Sequence, residues 1–382
     1  MKSTHILGIR LPSTFVGTVI GTLVLVAPAF SQSYTTFDIG TLGGKATYAT
    51  AINASGQVTG NSVTVDGPYH AFVTQANGLD MTDLGTLPGG DHSYGFDINS
   101  SGQVTGKSGW ASSLGVIYPH AFIADINGGV RAVTESHWSE GLGINNAGQV
   151  VGYIGDTGHT GSDAFVTAPN GLNASQIGGL HSDGDRATDI NSSGQVVGSA
   201  HLSSGLYEHA YITSANHVFA SDLGTLGGYR SFATGVNDSG QVVGYSDINR
   251  TLISPIHAFI TDIDSNMTDL GTLGGQGSYA ADINSQGQVV GWAETAIGNR
   301  KHAFVTGPDG EGMTDLNSLV ELENGIFLAD AMGINDRGQI IANASDGRAY
   351  LLSPVPEPQA YAMLLAGLGL MGFMARRKKK AA

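Results

Sequence analysis

The sequence predicts an all-β fold, a seven-bladed β-propeller built from seven repeats of about 46 residues. Two observations carry this prediction. The segment Ile-Asn-x-x-Gly-Gln-Val-(Val/Thr)-Gly recurs throughout the chain at a nearly constant spacing. The composition also favours many short strands joined by tight turns, because the chain holds 57 glycines and only 13% of its residues are charged.

One glutamine marks each copy of the repeat. Successive glutamines are 46, 46, 46, 46, 47 and 51 residues apart, and they are Gln57, Gln103, Gln149, Gln195, Gln241, Gln288 and Gln339. This period lies between those of two common propeller repeats, whereas a β-helix would need a much shorter one. Seven copies also fall within the usual range of about four to eight blades.

Each copy contains four short segments that we interpret as strands. The first is Ser-x-Ala-x-x-Ile-Asn, and the second follows the marker glutamine. The third is His-Ala-Phe or a close variant, which begins at His70, His120, Asp163, His209, His257, His302 and Arg348. The fourth is Asp-Leu-Gly-Thr-Leu, clearest at Asp83, Asp222 and Asp269. The Asn-x-x-Gly link predicts a turn between the first two strands, since Asn bonds its own backbone and Gly supplies a positive φ.

The two ends of the repeat region predict how the ring closes. The region begins at residues 37–42 with a version of the fourth segment and stops at residues 348–352 with the third. If the opening segment completes the last blade, no sheet is left a strand short. We therefore expect the N-terminal strand to pair with the final one.

The first 31 residues are typical of a secretory signal peptide. Lys2 and Arg10 precede an apolar run at residues 15–26, and small residues suited to cleavage follow around Ala29. A retained membrane anchor is the alternative. We expect this segment to be removed on export.

Residues 354–382 form a tail of three parts. The tail begins with Val355, Pro356, Glu357 and Pro358, continues with an apolar stretch at residues 360–375, and ends with a basic cluster that includes Arg376 and Arg377. A helix of sixteen residues spans about 24 Å, slightly less than the bilayer core, and the basic cluster should stay cytoplasmic. The predicted domains are therefore a signal peptide at 1–31, a propeller at 34–353 and a sorting tail with a transmembrane helix at 354–382.

The three parts of the tail, in this order, resemble the PEP-CTERM sorting signal. The resemblance implies an exosortase as processing partner, transient insertion into the inner membrane, removal of the helix, and release or transfer of the body to the outer surface. It also implies a Gram-negative host that makes exopolysaccharide. A permanent tail anchor is the alternative.

The repeats, through their His-Ala-Phe triplets, resemble the extracellular HAF-repeat family. The resemblance covers residues 34–353, which is almost the whole mature chain. It implies repetition and export, and it implies no particular activity.

The charge of the chain argues against nucleic acid as a partner. The net charge is −15, and without the seven basic residues of the terminal segments and Glu357 the body keeps 10 basic and 31 acidic residues, a charge of about −21. Such a surface repels phosphate backbones. The chain has no cysteine, so neither disulfides nor thiolate-bound metals can stabilise it, and we expect no cofactor.

The repeated histidines and aspartates invite interpretation as metal sites. Equivalent positions on different blades cannot converge on one ion unless they line the axis, so we expect each histidine to be structural and to bond a neighbouring turn. A calcium loop needs several oxygen ligands within a few residues, whereas each repeated aspartate is followed by Leu-Gly-Thr-Leu, which favours turn capping. We therefore expect no metal site.

The sequence contains none of the common catalytic motifs. Gly-x-Ser-x-Gly, His-Glu-x-x-His and phosphate-loop patterns are missing, so we name no catalytic residue. Carboxylates gathered at the axial channel from separate blades would be an exception that motifs do not reveal.

The connection between the second and third strands varies most in length. Repeat proteins tend to carry their binding variation on one face of variable loops. The longer of these connections hold our candidate partner-binding residues, Trp110, Tyr118, Asn249, Arg250 and Leu252. Exposed aromatic rings on a rigid scaffold suit stacking on sugars or anchoring a protein, and ordinary loop packing is the alternative.

Together these features predict an exported, non-catalytic protein of the cell surface or biofilm matrix that binds exopolysaccharide or other surface proteins. An extracellular glycan hydrolase or lyase of the propeller type is the first alternative. A calcium-dependent adhesin is the second.

Overall fold

The computed structural model describes residues 32–356, apart from residues 112–116, 128, 135, 137, 156–161, 178–183, 202–206, 218, 252–253 and 324. Within these residues, 28 strands form seven antiparallel sheets of four strands each. The helices of the described residues are four single 3-10 turns, at Ala76–Gly78, Pro169–Gly171, Pro308–Gly310 and Leu316–Ser318. The predicted seven-bladed β-propeller is confirmed.

Strand β1 (Tyr34–Asp38) belongs to the last blade, and the other strands follow in chain order. Blade 1 consists of β2 (Gly43–Ile52), β3 (Val58–Thr64), β4 (Tyr69–Val73) and β5 (Thr82–Gly85). Blade 2 consists of β6 (His92–Ile98), β7 (Val104–Ala111), β8 (Ile117–Asp125) and β9 (Gly129–Ala132). Blade 3 consists of β10 (Ser139–Ile144), β11 (Val150–Gly155), β12 (Ser162–Ala168) and β13 (Leu172–Gln176).

Blades 4 to 7 repeat this arrangement. Blade 4 consists of β14 (Arg186–Ile190), β15 (Val196–Ala200), β16 (His209–Thr213) and β17 (Ala220–Asp222), and blade 5 of β18 (Ser231–Val236), β19 (Val242–Asp247), β20 (Ile256–Thr261) and β21 (Met267–Asp269). Blade 6 consists of β22 (Gly274–Ile283), β23 (Val289–Thr295), β24 (Lys301–Val305) and β25 (Thr314–Asp315). Blade 7 consists of β26 (Leu328–Ile334), β27 (Ile340–Ala344) and β28 (Ala349–Pro354) together with β1.

Blade 7 closes the ring with both ends of the repeat region. Its strand order is β1-β28-β27-β26, and β1 pairs with β28 from Tyr34 opposite Pro354 to Asp38 opposite Tyr350. Arg348 Nη1 contacts Asp38 Oδ2 at 3.3 Å and so joins the two strands through their side chains. The predicted closure by the N-terminal strand is therefore confirmed.

The phenylalanine of the His-Ala-Phe segment fills the joint between blades. Phe72 is fully buried and packs with Ile341 and Leu351 of blade 7 as well as with its own blade. Phe259 is likewise fully buried and packs with Val197 and other residues of blade 4. Burial of such a ring contributes about 1.5–3 kcal/mol, so these side chains hold neighbouring blades together.

The glycine that ends the Gln-Val-(Val/Thr)-Gly segment is required by a bulge in the neighbouring inner strand. Gly106 pairs with Gly95 of β6, just where the register of β6 shifts between Gly95 and Asp97. A β-carbon on Gly106 would lie 1.8 Å from the carbonyl oxygen of Tyr94. Glycine avoids that contact, which explains why six of the seven copies keep it, the seventh having Ala342.

The serine of the first segment connects three of the repeated motifs. Ser93 Oγ accepts a hydrogen bond from the N–H of Ala71, the alanine of His-Ala-Phe in blade 1. The same hydroxyl donates to the carbonyl of Gly85, the glycine of Asp-Leu-Gly. Ser231 and Ser278 repeat both bonds at later joints. In each of these blades, the buried serine hydroxyl thus forms its hydrogen bonds with the preceding blade.

Candidate functional site

The ring has two ends with different chemistry. The Asn-x-x-Gly turns lie at one end, together with the links between third and fourth strands, as the bond from Gly78 N–H to Gly56 O (3.1 Å) shows. We call this the Asn end. The opposite end, which we call the aromatic end, holds the loops between second and third strands and the connections to the next blade.

The Asn end is organised by one asparagine in each blade. Asn53 Oδ1 accepts the backbone N–H groups of Ser55 and Gln57, and its Nδ2 donates to Gln57 Oε1 at 2.9 Å. Gly56 has a φ of +81°, so the turn chemistry predicted from Asn-x-x-Gly is present. The marker glutamine therefore fixes the side chain of the asparagine.

These asparagines also join the blades in a closed belt. Each Nδ2 donates to the main-chain carbonyl of the equivalent asparagine in the next blade at 3.0–3.3 Å, through Asn53, Asn99, Asn145, Asn191, Asn237, Asn284, Asn335 and back to Asn53. All seven are buried. Because buried amides are costly to leave unpaired, the belt makes the Asn end a rigid structural face.

The repeated histidine bonds the repeated aspartate of its own blade, which is the residue that caps the neighbouring Asp-Leu-Gly turn. His70 Nδ1 lies 2.8 Å from Asp83 Oδ2, which joins the third strand to the fourth. Asp83 Oδ1 also accepts the N–H of Gly85, so the aspartate caps its turn as expected. The same pairing occurs at His209 with Asp222, His257 with Asp269 and His302 with Asp315.

A cavity of about 260 Å³ lies on the axis and is lined by the inner strands of all seven blades. Asp97, Asp189 and Asp282 are among its lining residues and come from blades 2, 4 and 6. Each carboxylate accepts the N–H of the residue that follows it and an N–H from the next blade, such as Ile144 for Asp97 at 2.8 Å. The channel thus gathers three carboxylates, as the enzyme alternative requires.

Sequence analysis missed these three residues, although a signal was present. Each aspartate directly precedes the Ile-Asn of its repeat, whereas the other blades have Ala51, Gly143, Gly235 and Gly333 at that place. The aspartate of each even-numbered blade bonds the following odd-numbered blade. Ser100, Ser192 and Ser285 do the same through Asn146, Asp238 and Asp336. Blades 2–3, 4–5 and 6–7 are therefore joined as pairs at the axis.

Enclosure in the channel raises the pKa of all three carboxyl groups. Loss of solvation raises the pKa of Asp97 to about 7, and repulsion from Asp189 adds to the effect. Loss of solvation likewise raises the pKa of Asp282 to about 7, with repulsion from Asp189 and Asp97. The pKa of Asp189 is raised mainly by burial as well. Asp97 and Asp282 therefore change charge near neutral pH.

Because the pKa values of Asp97 and Asp282 are raised, these two residues make the folded state less stable as the pH rises. The folded protein binds their protons more tightly than the unfolded chain does, so their contribution to stability is most favourable below about pH 4 and is lost between about pH 4 and 7. The variant Asp282→Ala has the residue that blade 1 carries at Ala51. We expect the stability of this variant relative to the parent to increase by on the order of 1 kcal/mol or more as the pH rises from 5 to 8. Thermal melts of both proteins across this range measure the difference.

Asp262 provides a control of opposite sign for this prediction. Its hydrogen bonds to Asn266 lower the pKa of its exposed carboxyl group. Asp262→Asn should therefore lose stability relative to the parent as pH rises through the acidic range. A difference for Asp282→Ala that is flat with pH would contradict the raised pKa.

A continuous row of aromatic rings crosses blades 5 and 6 at the aromatic end. Phe232 stacks on Tyr245 with centroids 4.9 Å apart, Tyr245 contacts Tyr279 at 5.0 Å, and Tyr279 stacks on Trp292 at 5.9 Å with planes only 1° apart. Lys301 Nζ lies 3.6 Å from the centroid of Trp292. The four rings are half-buried, so part of each reaches solvent.

Polar groups surround this aromatic row. Burial, with Tyr245 and Asp330 nearby, raises the pKa of Tyr279 to about 12, so its hydroxyl stays protonated and able to donate. Asp330 Oδ1 accepts a bond from Asn343 Nδ2 at 2.8 Å. Burial raises the pKa of Tyr245, Glu208 raises it further, and Arg186 and Arg230 oppose the shift, so both signs of charge lie beside the row.

The candidate binding residues lie at the aromatic end as far as the structure describes them. Trp110 and Tyr118 are opposite each other on β7 and β8. Asn249 and Arg250 are exposed in the loop between β19 and β20, where Asn249 N–H donates to Ser254 Oγ at 3.2 Å. Leu252 lies outside the described residues. Trp110 and Tyr118 belong to blade 2, whereas Asn249 and Arg250 belong to blade 5.

The sorting residues are described only at their start. Val355 and Pro356 are exposed at the Asn end, where Val355 N–H donates to Ser33 O at 2.9 Å. Glu357, Pro358, Arg376 and Arg377 lie outside the described residues.

The described part of the chain shows neither a metal site nor a membrane-spanning helix. No group of three or more histidine, aspartate or glutamate side chains in residues 32–356, outside the gaps given above, is placed to hold a metal ion. No helix of that region is long and apolar enough to cross a membrane, and the predicted membrane segment falls outside it.

Comparison with known families gives two matches. Residues 186–349 match the family described as "Protein of unknown function (DUF3466)", from the first residue of blade 4 into the third strand of blade 7. This match covers less than half of the chain. Residues 354–379 match the PEP-CTERM protein-sorting motif. No curated protein is similar to the chain in sequence.

Several solved structures are similar in fold at low sequence identity. TolB from Acinetobacter baumannii is 12% identical with a TM-score of 0.45, over 80% of this chain and 65% of that one. An oligogalacturonate lyase in complex with manganese is 12% identical with a TM-score of 0.53, over 85% and 97%. An acylaminoacyl peptidase from Pyrococcus horikoshii is 10% identical with a TM-score of 0.51, over 86% and 55%.

The lyase and the peptidase, with TM-scores above 0.5, support the fold, and the family match supports the sorting signal. The chain spans 65% of TolB and 55% of the peptidase, and at such identities the likeness concerns the fold alone. The sorting motif is informative about destination. It marks the chain as an exported protein that is sorted to the cell surface, with an exosortase as its processing partner.

Proposed function

We propose that this protein is a non-catalytic binding protein of the cell surface or biofilm matrix, and that its aromatic end binds exopolysaccharide. The observation that carries the proposal is the row Phe232, Tyr245, Tyr279 and Trp292. Partly exposed tyrosine and tryptophan present an apolar ring and a polar group together, which suits sugar rings with their C–H faces and hydroxyls.

The stacking of the row supports binding rather than simple packing. Because the rings fix one another's orientation, little conformational freedom would be lost when a ligand binds. The neighbouring groups of Asp330 and Arg186 supply hydrogen-bond acceptors and donors at the edge of the rings. A linear polysaccharide could follow the row across two blades.

The same end of the ring carries the loops of variable length. We keep Trp110, Tyr118, Asn249, Arg250 and Leu252 as further binding residues within this proposal. Aromatic and arginine side chains dominate the energy of binding surfaces. Since the described part of the chain begins and ends at the opposite face, the aromatic end is free to meet a ligand outside the cell.

The proposal also includes the finer details of export. We infer a signal peptide at 1–31, a propeller body at 34–353, and a tail at 354–382 that inserts transiently into the inner membrane of a Gram-negative bacterium. The sequence of residues 360–375 and its basic cluster support the insertion. The His-Ala-Phe triplets support membership of the HAF-repeat family.

Retention on purified exopolysaccharide tests the binding function. We expect the parent protein to be retained, and Trp292→Ala and Tyr279→Ala to bind at least about tenfold more weakly, because buried aromatic contacts at binding centres are worth about 2 kcal/mol or more. Phe219→Ala is the matched control, since Phe219 is an exposed ring at the Asn end.

Two outcomes would contradict this assignment. Equal retention of all variants would mean that the aromatic row is not part of the binding surface. No retention of the parent, with capture of another surface protein through the same residues, would favour a protein partner. Thermal melts of each variant separate a lost contact from a lost fold.

The channel supports a second candidate, an extracellular glycan hydrolase or lyase. Asp97 and Asp282 have pKa values raised to about 7, which suits carboxyl groups that exchange protons at neutral pH. Each carboxylate already accepts two backbone N–H bonds, which favours the structural role. Turnover of exopolysaccharide by the parent that is lost in Asp97→Asn would establish the enzyme instead.

A further inference from the structure

Both ends of the described chain lie at the Asn end of the ring. Strand β28 ends there at Pro354, and Val355 N–H donates to the carbonyl of Ser33, which precedes β1. The apolar stretch of the tail begins at residue 360. Six steps of extended chain reach at most about 20 Å, so an inserted tail would hold the Asn end within that distance of the bilayer.

The Asn end also carries an apolar rim. Among the described residues of blades 1 to 5, one large hydrophobic side chain per blade is exposed in the link between third and fourth strands or, in blade 3, at the start of the fourth strand; these are Leu79, Ile126, Leu172, Phe219 and Ile263. Their exposed fractions range from 41% to 75%. Val355 adds a sixth beside the tail. The rim therefore extends around the ring from the point where the tail leaves.

This placement gives the rim a specific partner. With the tail attached at blade 7 and apolar side chains in blades 1 to 5, the Asn end could rest on the membrane at several points around the ring. Side chains of this kind enter the boundary between headgroups and acyl chains about 5–10 Å deep. Loop tips so far apart on one face are poorly suited to a single small ligand.

The charges beside the rim decide which lipid surface it fits. Asp80 follows Leu79 in the chain, and Asp262 and Asp264 flank Ile263. These carboxylates would be repelled by anionic lipids. The rim therefore matches a surface of zwitterionic headgroups.

We propose that the apolar rim at the Asn end docks on a zwitterionic lipid surface while the sorting tail is inserted, so that the aromatic end faces away from the membrane. The proposal rests on membrane insertion of the tail, and it is independent of which ligand the aromatic end binds. Docking would hold the body in one orientation before the tail is removed.

Single cysteines provide a direct test, because the chain has none of its own. Phe219→Cys and Ile263→Cys place an environment-sensitive fluorophore on the rim. Val65→Cys and Ile297→Cys are matched controls at the aromatic end, where these residues are 79% and 88% exposed. The full-length chain is reconstituted into vesicles of phosphatidylcholine and phosphatidylethanolamine.

We expect fluorophores on the rim to show blue-shifted emission and severalfold stronger quenching by lipid-attached quenchers than those at the aromatic end. Addition of phosphatidylglycerol at low salt should weaken the difference. Failure of the chain to float with the vesicles would overturn the insertion, and with it the docking. Flotation with equal emission at both ends would overturn the docking alone. A blue shift at the rim in vesicles without stronger quenching by the lipid-attached quenchers would mean that protein, such as a second copy of the chain, covers the rim, and would also overturn the proposal.

Discussion

Phe259→Ala is expected to lower the free energy of unfolding by about 3–5 kcal/mol. The ring of Phe259 is fully buried and packs against Val197, Ala210 and Leu223 of blade 4 as well as its own blade. Its removal leaves a cavity in the joint between blades 4 and 5, where rigid sheets on both sides prevent collapse. Equilibrium unfolding in urea and thermal melting measure the loss.

Phe219→Ala is the matched control for this prediction. Phe219 is 72% exposed in the link between β16 and β17, so its loss should change the free energy of unfolding by no more than about 0.5 kcal/mol. If the two variants unfolded at the same denaturant concentration, the joints between blades would not depend on the His-Ala-Phe ring.

Phe37→Pro is expected to open the ring and to lower stability by about 3 kcal/mol or more. Val355 N–H donates to Ser33 O and Ile39 N–H to Ala349 O. Because bonded pairs alternate in an antiparallel ladder, the N–H of Phe37 faces Leu351 and that of Thr36 faces the free edge. Proline at position 37 therefore removes a closing hydrogen bond.

Two controls isolate this closing bond. Thr36→Pro should be tolerated far better, since proline is accepted where its nitrogen faces outward on an edge strand. The variant Phe37→Ala measures the effect on stability of losing the aromatic ring alone. Melting temperature and size-exclusion elution report the result, because an opened blade 7 exposes the edge of β28 to other chains. Equal melting of the two proline variants would contradict the described register.

The repeat period allowed the ring to be predicted from sequence because each blade is a copy of the last. The marker glutamines gave the blade number, and the Asn-x-x-Gly pattern gave the hairpin that the structure shows at Asn53 and Gly56. Closure followed from the order of segments at the two ends. Local patterns were sufficient for these features, since each depends on neighbouring residues in the chain.

Features that depend on register between distant strands were not predicted. The partner of His70 is Asp83 on the next strand, and only the pairing of β4 with β5 brings them together. The channel aspartates were missed because every inner strand carries a bulge just before them, as between Gly95 and Asp97. A bulge changes which side chain faces the axis, and residue alternation alone does not reveal it.

The pairing of blades at the axis has a consequence for the symmetry of the molecule. Asp97, Asp189 and Asp282 recur every second blade, so the arrangement at the centre of the ring repeats every two blades. Seven is odd, and blade 1 has no such partner. The carboxyl groups are therefore spaced two sevenths of a turn apart over most of the circle and are missing on the side of blades 7 and 1, where the chain closes. A ring that looks sevenfold from its turns has an asymmetric electrostatic field, and a cation in the channel would be drawn away from the seam.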